Sequence, residues 1–436
     1  MTEGRSLKVN VPLLARVEGE GALDLDIDRG QLVAARLRIF EPPRFFEKLV
    51  EGRQVEEMPD LVARICGICP VAYQMSAVHA LESIAGLQPG GWVRDMRRLL
   101  YCGEWIESHC LHIHLLAAPD FLGFPNAAAM AREYPEEVRR GLQLQHLGNE
   151  IMALLGGRSV HPVGACIGGF HRAPSQAAIS RLRGRLHDAV PLAEELVRWT
   201  ASLALPHARQ SFISVALRHP TEYPLNEGRI VSSDGLDISI AEYPEHFAEQ
   251  HRSTSTALYS LYRGQPYLVG PLARLNLNLD LLPQPVRRNL VRTEVPFPSS
   301  NLYHSIVARA VEVHYALLEA LRILDDYRLP DAPRVEPKHR AGVGFGCTEA
   351  PRGLLWQQWE TDAEGRVLSC RIVPPTSQNQ ARIEEDLRLS IEAAGLDSPA
   401  ETLRSRAEAV IRNYDPCISC ATHFLTLRIH RTGGEE

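Results

Sequence analysis

The sequence predicts a mainly α protein with small β elements, an α+β fold whose centre is a bundle of long helices, with an N-terminal β-hairpin and peripheral strands. Three observations predict it. Five long stretches carry apolar residues at three- and four-residue steps, one segment near the N-terminus alternates strictly, and strand-like patterns elsewhere are short. No internal repeat, Gly/Ser linker or low-complexity tract marks a boundary, so residues 1–436 read as a single domain.

The alternating segment comes first. Leu23, Leu25 and Ile27 alternate with Asp24, Asp26 and Asp28, the chain turns at Arg29-Gly30, and apolar residues resume through Phe40, which predicts a hairpin. Helical periodicity then covers 71–86, 92–116, 136–155, 175–203 and 302–323. Between about 220 and 278 the pattern shortens and gains Gly, Pro, Thr and Tyr, as β elaborations would, and another strand-like stretch runs over 366–373. The last helix, 399–412, stops before Asn413-Tyr414-Asp415-Pro416, because Pro416 disfavours helix at the residue before it.

Composition narrows the function. Hydrophobic residues make up 45% and charged residues 23%, with a formal net charge of -6, as in an ordinary soluble globular protein. Lys and Arg are scattered rather than clustered, which argues against nucleic acid as a partner. The first residues lack a signal-peptide pattern, and no run of roughly 18 uncharged apolar residues is available for a membrane span. Nine cysteines, four of them in two C-x-x-C pairs, favour metal or redox use in a reducing compartment over a disulfide framework.

Those pairs are the sharpest signal. Arg64-Ile65-Cys66-Gly67-Ile68-Cys69-Pro70 aims two thiols from one tight turn before a helix, and Asp415-Pro416-Cys417-Ile418-Ser419-Cys420 repeats the spacing, with His423 three residues on. Four thiolates suit structural zinc, although zinc pairs usually lie close together in a small module. Here almost the whole chain intervenes, so a site joining both pairs would sit in the core, where water-excluding chemistry is the better use of it. The run His109, His112, His114 shares a helix with apolar neighbours and reads as packed core histidines. Cys102, Cys110, Cys166, Cys347 and Cys370 have no partner at metal spacing and read as small buried hydrophobes.

R-x-C-G-x-C and D-P-C-x-x-C-x-x-H resemble the paired signatures of nickel-iron hydrogenase large subunits. Arg16-Val17-Glu18-Gly19, Gly157-Arg158-Ser159-Val160-His161-Pro162 with Gly168-Gly169, and Glu349-Ala350-Pro351-Arg352-Gly353 resemble that family too, so the resemblance spans the chain. The segment from Asp415 to His423 is most similar to cytoplasmic, bidirectional enzymes that exchange electrons with NAD or NADP.

The resemblance implies reversible cleavage of H2 to protons and electrons. Cys66 and Cys417 would be terminal nickel ligands, and Cys69 and Cys420 would bridge nickel to an iron carrying carbon monoxide and cyanide. Glu18 would relay protons beside Cys417. Arg352, next to Pro351, would reach over the metals to a cyanide, and Thr376 would donate to the other. Asp120, eleven residues after His109, and Asp415 would both orient Arg352. Glu47, the Ile372 carbonyl and His423 would hold Mg2+. Tyr73 and Gln357 stand where many members carry histidine.

Implied partners are an iron-sulfur small subunit, flavin- and NAD(P)-binding diaphorase subunits, and a maturation protease that removes residues 424–436. The chain itself has no cysteine set for a cubane cluster and no Gly-rich nucleotide fingerprint. Two other readings compete: a zinc-stapled scaffold, and a quinone-reductase-like scaffold of the same fold, which would lack the four cysteines.

Overall fold

The structure, a computed structural model, describes residues 5–422. His423 and the 424–436 extension lie outside the described residues.

Strands β1 (Leu7–Val11), β2 (Gly21–Asp28) and β3 (Gln31–Ile39) form an antiparallel sheet in that order. The predicted hairpin is β2 and β3, with Leu23 opposite Leu37 and Leu25 opposite Ala35. Leu23, Leu25 and Ile27 are buried, while Asp24 turns outward and accepts from Arg38 Nε at 2.9 Å across the pair. β1, too short to stand out in sequence, adds the third strand.

Helix α1 (Pro70–Ala85) starts directly after Cys69, with Pro70 at its first position, where a missing N–H costs nothing. The buried Glu104 carboxylate accepts from the Val71 and Ala72 N–H groups at 2.6 and 3.2 Å, and so caps a terminus that no solvent reaches. α2 (Gly91–Leu111) does not run unbroken through Leu116 as predicted. It widens into a π-helical segment, His112–Ala117, before a short helix Ala118–Leu122 that contains Pro119, whose ring cannot join a regular ladder.

α3 (Pro135–Gly156) packs against α2 through glycines: a Cβ at Gly148 would lie 2.6 Å from the Gly103 carbonyl oxygen. α4 (Gln176–Ser202) is capped by Ser175, which accepts from Ala178 N–H at 3.3 Å. α5 (Ser305–Asp325) is buried from Ser305 through Leu317 and forms the bundle's axis, touching both α2 and α4. Between α4 and α5 lie short strands, first Val215–Arg218, just ahead of the predicted stretch, then Arg229–Ser232, Asp237–Ile238, Phe247–His251 and Leu258–Tyr262, as the 220–278 pattern predicts, and then a helix, Pro271–Asn278, that it does not.

A second sheet joins β4 (Gly342–Ala350), β5 (Gly353–Thr361) and β6 (Val367–Val373) in antiparallel order. Only β6 was legible in sequence. β4 carries three glycines because it lies flat on α1: a Cβ at Gly346 would meet the Ser76 carbonyl oxygen at 1.8 Å, and one at Gly344 the Ala80 carbonyl oxygen at 2.1 Å. α6 (Pro375–Ala394), also unpredicted, is buried all round its first turn by the polar run Thr376, Ser377, Gln378, Asn379 and Gln380, so its apolar periodicity is weak. α7 (Ala400–Tyr414) ends where Asp415 turns left-handed at φ 57°, leading into Pro416 and Cys417.

Candidate metal centre

The first cysteine pair sits where a short 3-10 turn, Ala63–Ile65, gives way to extended backbone at Cys66. The N–H groups of Ile68 and Cys69 both point at Cys66 Sγ, at 3.3 and 3.4 Å. The second pair sits on the turn after α7, held in place by Thr376 at the start of α6, whose Oγ1 accepts from Cys417 N–H at 2.9 Å.

The four sulfurs converge. Cys66 Sγ lies 3.4 Å from Cys417 Sγ, Cys69 Sγ lies 3.5 Å from Cys420 Sγ, and all four are within 4.8 Å of one another. All are buried. The neighbouring thiols, Cys417 foremost, hold Cys66 well below the usual thiol range, while burial pushes Cys417 and Cys420 up. In so dry a pocket four thiolates cannot coexist unless cations neutralise them, so the donor set fits soft metal ions.

Arg352 forms the roof. It sits in the tight connection between β4 and β5, where Gly353 has φ 136° and a Cβ would meet Val269 Cγ2 at 2.6 Å, which explains the glycine of the Ala-Pro-Arg-Gly segment. Its Nε donates to the Asp415 carbonyl oxygen at 2.7 Å and Nη2 to Asp415 Oδ1 at 3.0 Å. Nη1 is buried and has no partner among the described residues. An unpaired guanidinium donor beside four sulfurs fits a centre that brings its own hydrogen-bond acceptor.

Asp415 also takes Arg309 Nη1 at 3.3 Å. Burial opposes its charge, but Arg352, His112 and Arg309 outweigh it and hold the carboxyl below its usual range.

Glu18 flanks the second pair. Its carbonyl accepts from Ile418 N–H at 3.0 Å and its Oε2 from Ser419 N–H at 3.1 Å. Burial raises its pKa, and the charge of Cys66 adds to the effect.

Asp120 stands apart from the expectation. It pairs with Arg16 and with Arg412, whose Nε and Nη2 reach it at 2.7 and 3.0 Å, and no hydrogen bond among the described residues joins it to Arg352. Its place is to tie the loop leading to Glu18 onto α7.

Glu47 meets Ile372 through that residue's N–H, which donates to Oε1 at 2.8 Å. Pro351 presents its carbonyl to Arg274 at 3.0 Å. Tyr73 is buried beside the second cysteine pair; burial and the nearby charges of Cys420 and Cys69 raise its pKa. Gln357 donates to the Tyr73 carbonyl oxygen at 3.2 Å and accepts from Trp359 Nε1 at 2.8 Å.

The histidine run stays in the core: His109 Nε2 contacts Glu312 at 2.8 Å, His112 Nε2 the Arg412 carbonyl at 2.8 Å, and His114 stacks on Trp199. Of the five other cysteines, four are buried as expected; Cys370 is half-buried, at the edge strand β6.

Sequence reading missed the charges buried around the site, Glu104, Glu107, Arg274, Arg309 and Glu312. Their signal was present: charged residues on helix faces that are otherwise apolar.

A family model described as "Nickel-dependent hydrogenase" matches residues 44–139 and 241–423. Sulfhydrogenase 1 subunit alpha of Pyrococcus furiosus is 33% identical over 97% of this chain and 99% of its own. The NAD-reducing hydrogenase HoxS subunit beta of Cupriavidus necator is 27% identical over 96% of this chain and 95% of its own. A solved NAD+-reducing [NiFe]-hydrogenase in the H2-reduced state superposes with a TM-score of 0.87 at 27% identity, covering 96% of this chain and 99% of that one. A [NiFeSe] hydrogenase from Desulfovibrio vulgaris Hildenborough shares the fold, with a TM-score of 0.78 at 22% identity over 96% of this chain and 100% of that one. Agreement along the whole length, and not at the cysteines alone, decides the matter: this chain belongs to the nickel-dependent hydrogenase family, as one of its large subunits.

Proposed function

We propose that this subunit oxidises hydrogen reversibly at a Ni-Fe centre held by Cys66, Cys69, Cys417 and Cys420. The observation that carries this reading is the closure of four buried sulfurs, drawn from both ends of the chain, within 4.8 Å of one another. When bound, the centre supplies heterolytic cleavage of hydrogen, and its electrons leave through an iron-sulfur small subunit.

The protein's own residues supply the rest. Cys66 and Cys417 would serve as terminal ligands of such a centre, and Cys69 and Cys420 as bridging ones. The unpaired Nη1 of Arg352, beside Pro351, and the Thr376 hydroxyl would be the donors for two cyanide ligands of an iron that also carries carbon monoxide. Asp415 fixes the direction of Arg352 by gripping the other edge of its guanidinium.

Glu18 takes the proton from the neighbourhood of Cys417 and passes it outward, and a carboxyl raised by burial is suited to both steps. Glu47 and Ile372, with His423, are assigned to Mg2+. Asp120 supports this arrangement from the Arg16 side.

The single-domain chain hands electrons on to NAD(P) through diaphorase partners in the cytoplasm, a reading supported by the NAD-linked names of two relatives. Among the described residues no helix is long and apolar enough to cross a membrane. Maturation by a protease removes residues 424–436.

Exchange of D2 with solvent protons by the assembled complex tests the assignment. Exchange is expected in the wild type and lost in Cys420→Ser; exchange surviving that substitution would contradict it.

A further inference from the structure

Behind the hairpin that carries Arg352 lies a buried charge cluster that the reading above leaves unused. Its centre is Arg274, on the short helix Pro271–Asn278. All five donors of its guanidinium are engaged. Nε and Nη2 donate to the two carboxylate oxygens of Glu312 at 2.8 and 2.7 Å. Nη1 donates to Glu349 Oε2 at 3.0 Å and to the Ala350 carbonyl at 2.7 Å, and Nη2 to the Pro351 carbonyl at 3.0 Å. The Trp105 ring lies 4.3 Å from Arg274 Cζ, and its Nε1–H donates to the Glu349 carbonyl at 3.0 Å.

Ala350 and Pro351 immediately precede Arg352, so Arg274 grips the base of the turn while Asp415 grips the guanidinium at its tip. The two anchors belong to one network. Glu312 contacts His109 Nε2 at 2.8 Å, Arg309 Nη1 meets His109 Nδ1 at 3.3 Å, and the same Nη1 donates to Asp415 Oδ2 at 3.3 Å. Burial opposes the charge on Glu312, yet Arg274 holds its carboxyl down to about 2, so the two-bond Glu312 side of the clamp stays ionised, while burial pushes the Glu349 carboxyl up to about 7.

A buried ion cluster is a poor way to gain stability and a good way to fix one geometry. Arginine suits the task because its planar fork serves two carbonyls and two carboxylates at once, which a lysine cannot do.

We propose that Arg274 is a positioning residue for the hydrogenase reaction: it locks the Ala350-Pro351 turn so that Arg352 Nη1 is presented to the metal centre. This rests on the reading of Arg352 as the partner of a cyanide ligand.

The test uses the assembled complex carrying Arg274→Lys, Glu312→Gln or Arg352→Lys, with nickel content, the infrared bands of metal-bound cyanide, kcat and KM as readouts. Arg352→Lys is expected to shift a cyanide band. Arg274→Lys is expected to shift the same band and to lower kcat roughly 10- to 100-fold at unchanged KM and nickel content. Glu312→Gln, which keeps the shape but loses the charge, is expected to do the same to a smaller degree, and it stands in if the lysine variant does not accumulate.

Wild-type bands and kcat in both clamp variants, with only thermal stability reduced, would overturn the proposal and leave the reading of Arg352 intact. An unshifted band in Arg352→Lys would overturn both.

Discussion

Cys66 and Cys417 are separated by 351 positions in the chain, and their sulfurs lie 3.4 Å apart. Such an approach forces the ends of the molecule to meet inside it. One side is built by the start of α1, the other by the turn after α7, and both must be in place before the four sulfurs can close on metal.

Glu18 is the first point to test, because it joins the N-terminal segment to that turn through Ser419 and Ile418. Glu18→Gln keeps the hydrogen bond from Ser419 and removes the proton carrier. Hydrogen oxidation is expected to fall about 100-fold or more, with nickel content unchanged. Turnover at the wild-type rate would remove Glu18 from the proton path.

Asp120 and Asp415 separate cleanly. Asp415→Asn weakens the hold on Arg352 and is expected to move the cyanide bands. Asp120→Asn leaves Arg16 and Arg412 without their shared carboxylate and is expected to lower stability by about 1–3 kcal/mol in chemical denaturation, with the bands unmoved. Shifted bands in Asp120→Asn would restore it as an orienting group for Arg352.

Gly346→Ala tests the seat of α1. The added Cβ would fall 1.8 Å from the Ser76 carbonyl oxygen, and backbone cannot step aside cheaply. The variant is expected to lose about 1–3 kcal/mol of stability and to load less nickel, because α1 follows directly on Cys69. A wild-type melting temperature would show that β4 is free to move.

The buried histidines predict acid sensitivity of the metal-free chain. Burial lowers His109, His112 and His114 to about 4, about 3 and about 4, against an ordinary value of 6.5. Below about pH 6.5 the unfolded chain takes up protons that the folded chain refuses, so their contribution is complete above 6.5 and is lost as pH falls toward 4. Each ring accounts for on the order of 3 kcal/mol by that point. The denaturation midpoint is expected to fall steadily over this window, and less steeply in His114→Phe, which can keep the stack on Trp199. A flat profile, or an equal slope in the variant, would contradict the assignment.

Both cysteine pairs, the N-terminal hairpin, the long helices and the Arg352 segment were legible because each rests on local pattern or a fixed spacing. What escaped depended on tertiary contact. α6 hides from periodicity because its buried first turn is polar, Gln378 and Asn379 serving backbone groups of other elements. β4 looks like loop until α1 is seen to lie on Gly344 and Gly346. The break in α2 at His112 follows from Pro119, seven residues on, which a periodicity scan passes over. Asp120 has the expected spacing, but its carboxylate faces Arg16 and Arg412, and only the fold shows that. Single members of the Arg274 cluster stand out as charges on apolar helix faces, but their meeting is not readable from sequence, because they come from separate elements.

The most direct test of the central claim is metal analysis of the purified complex together with an infrared spectrum in the region of metal-bound carbon monoxide and cyanide. Nickel and iron accompanied by those bands is the predicted result; zinc alone, with no bands in a fully assembled complex, would contradict the account.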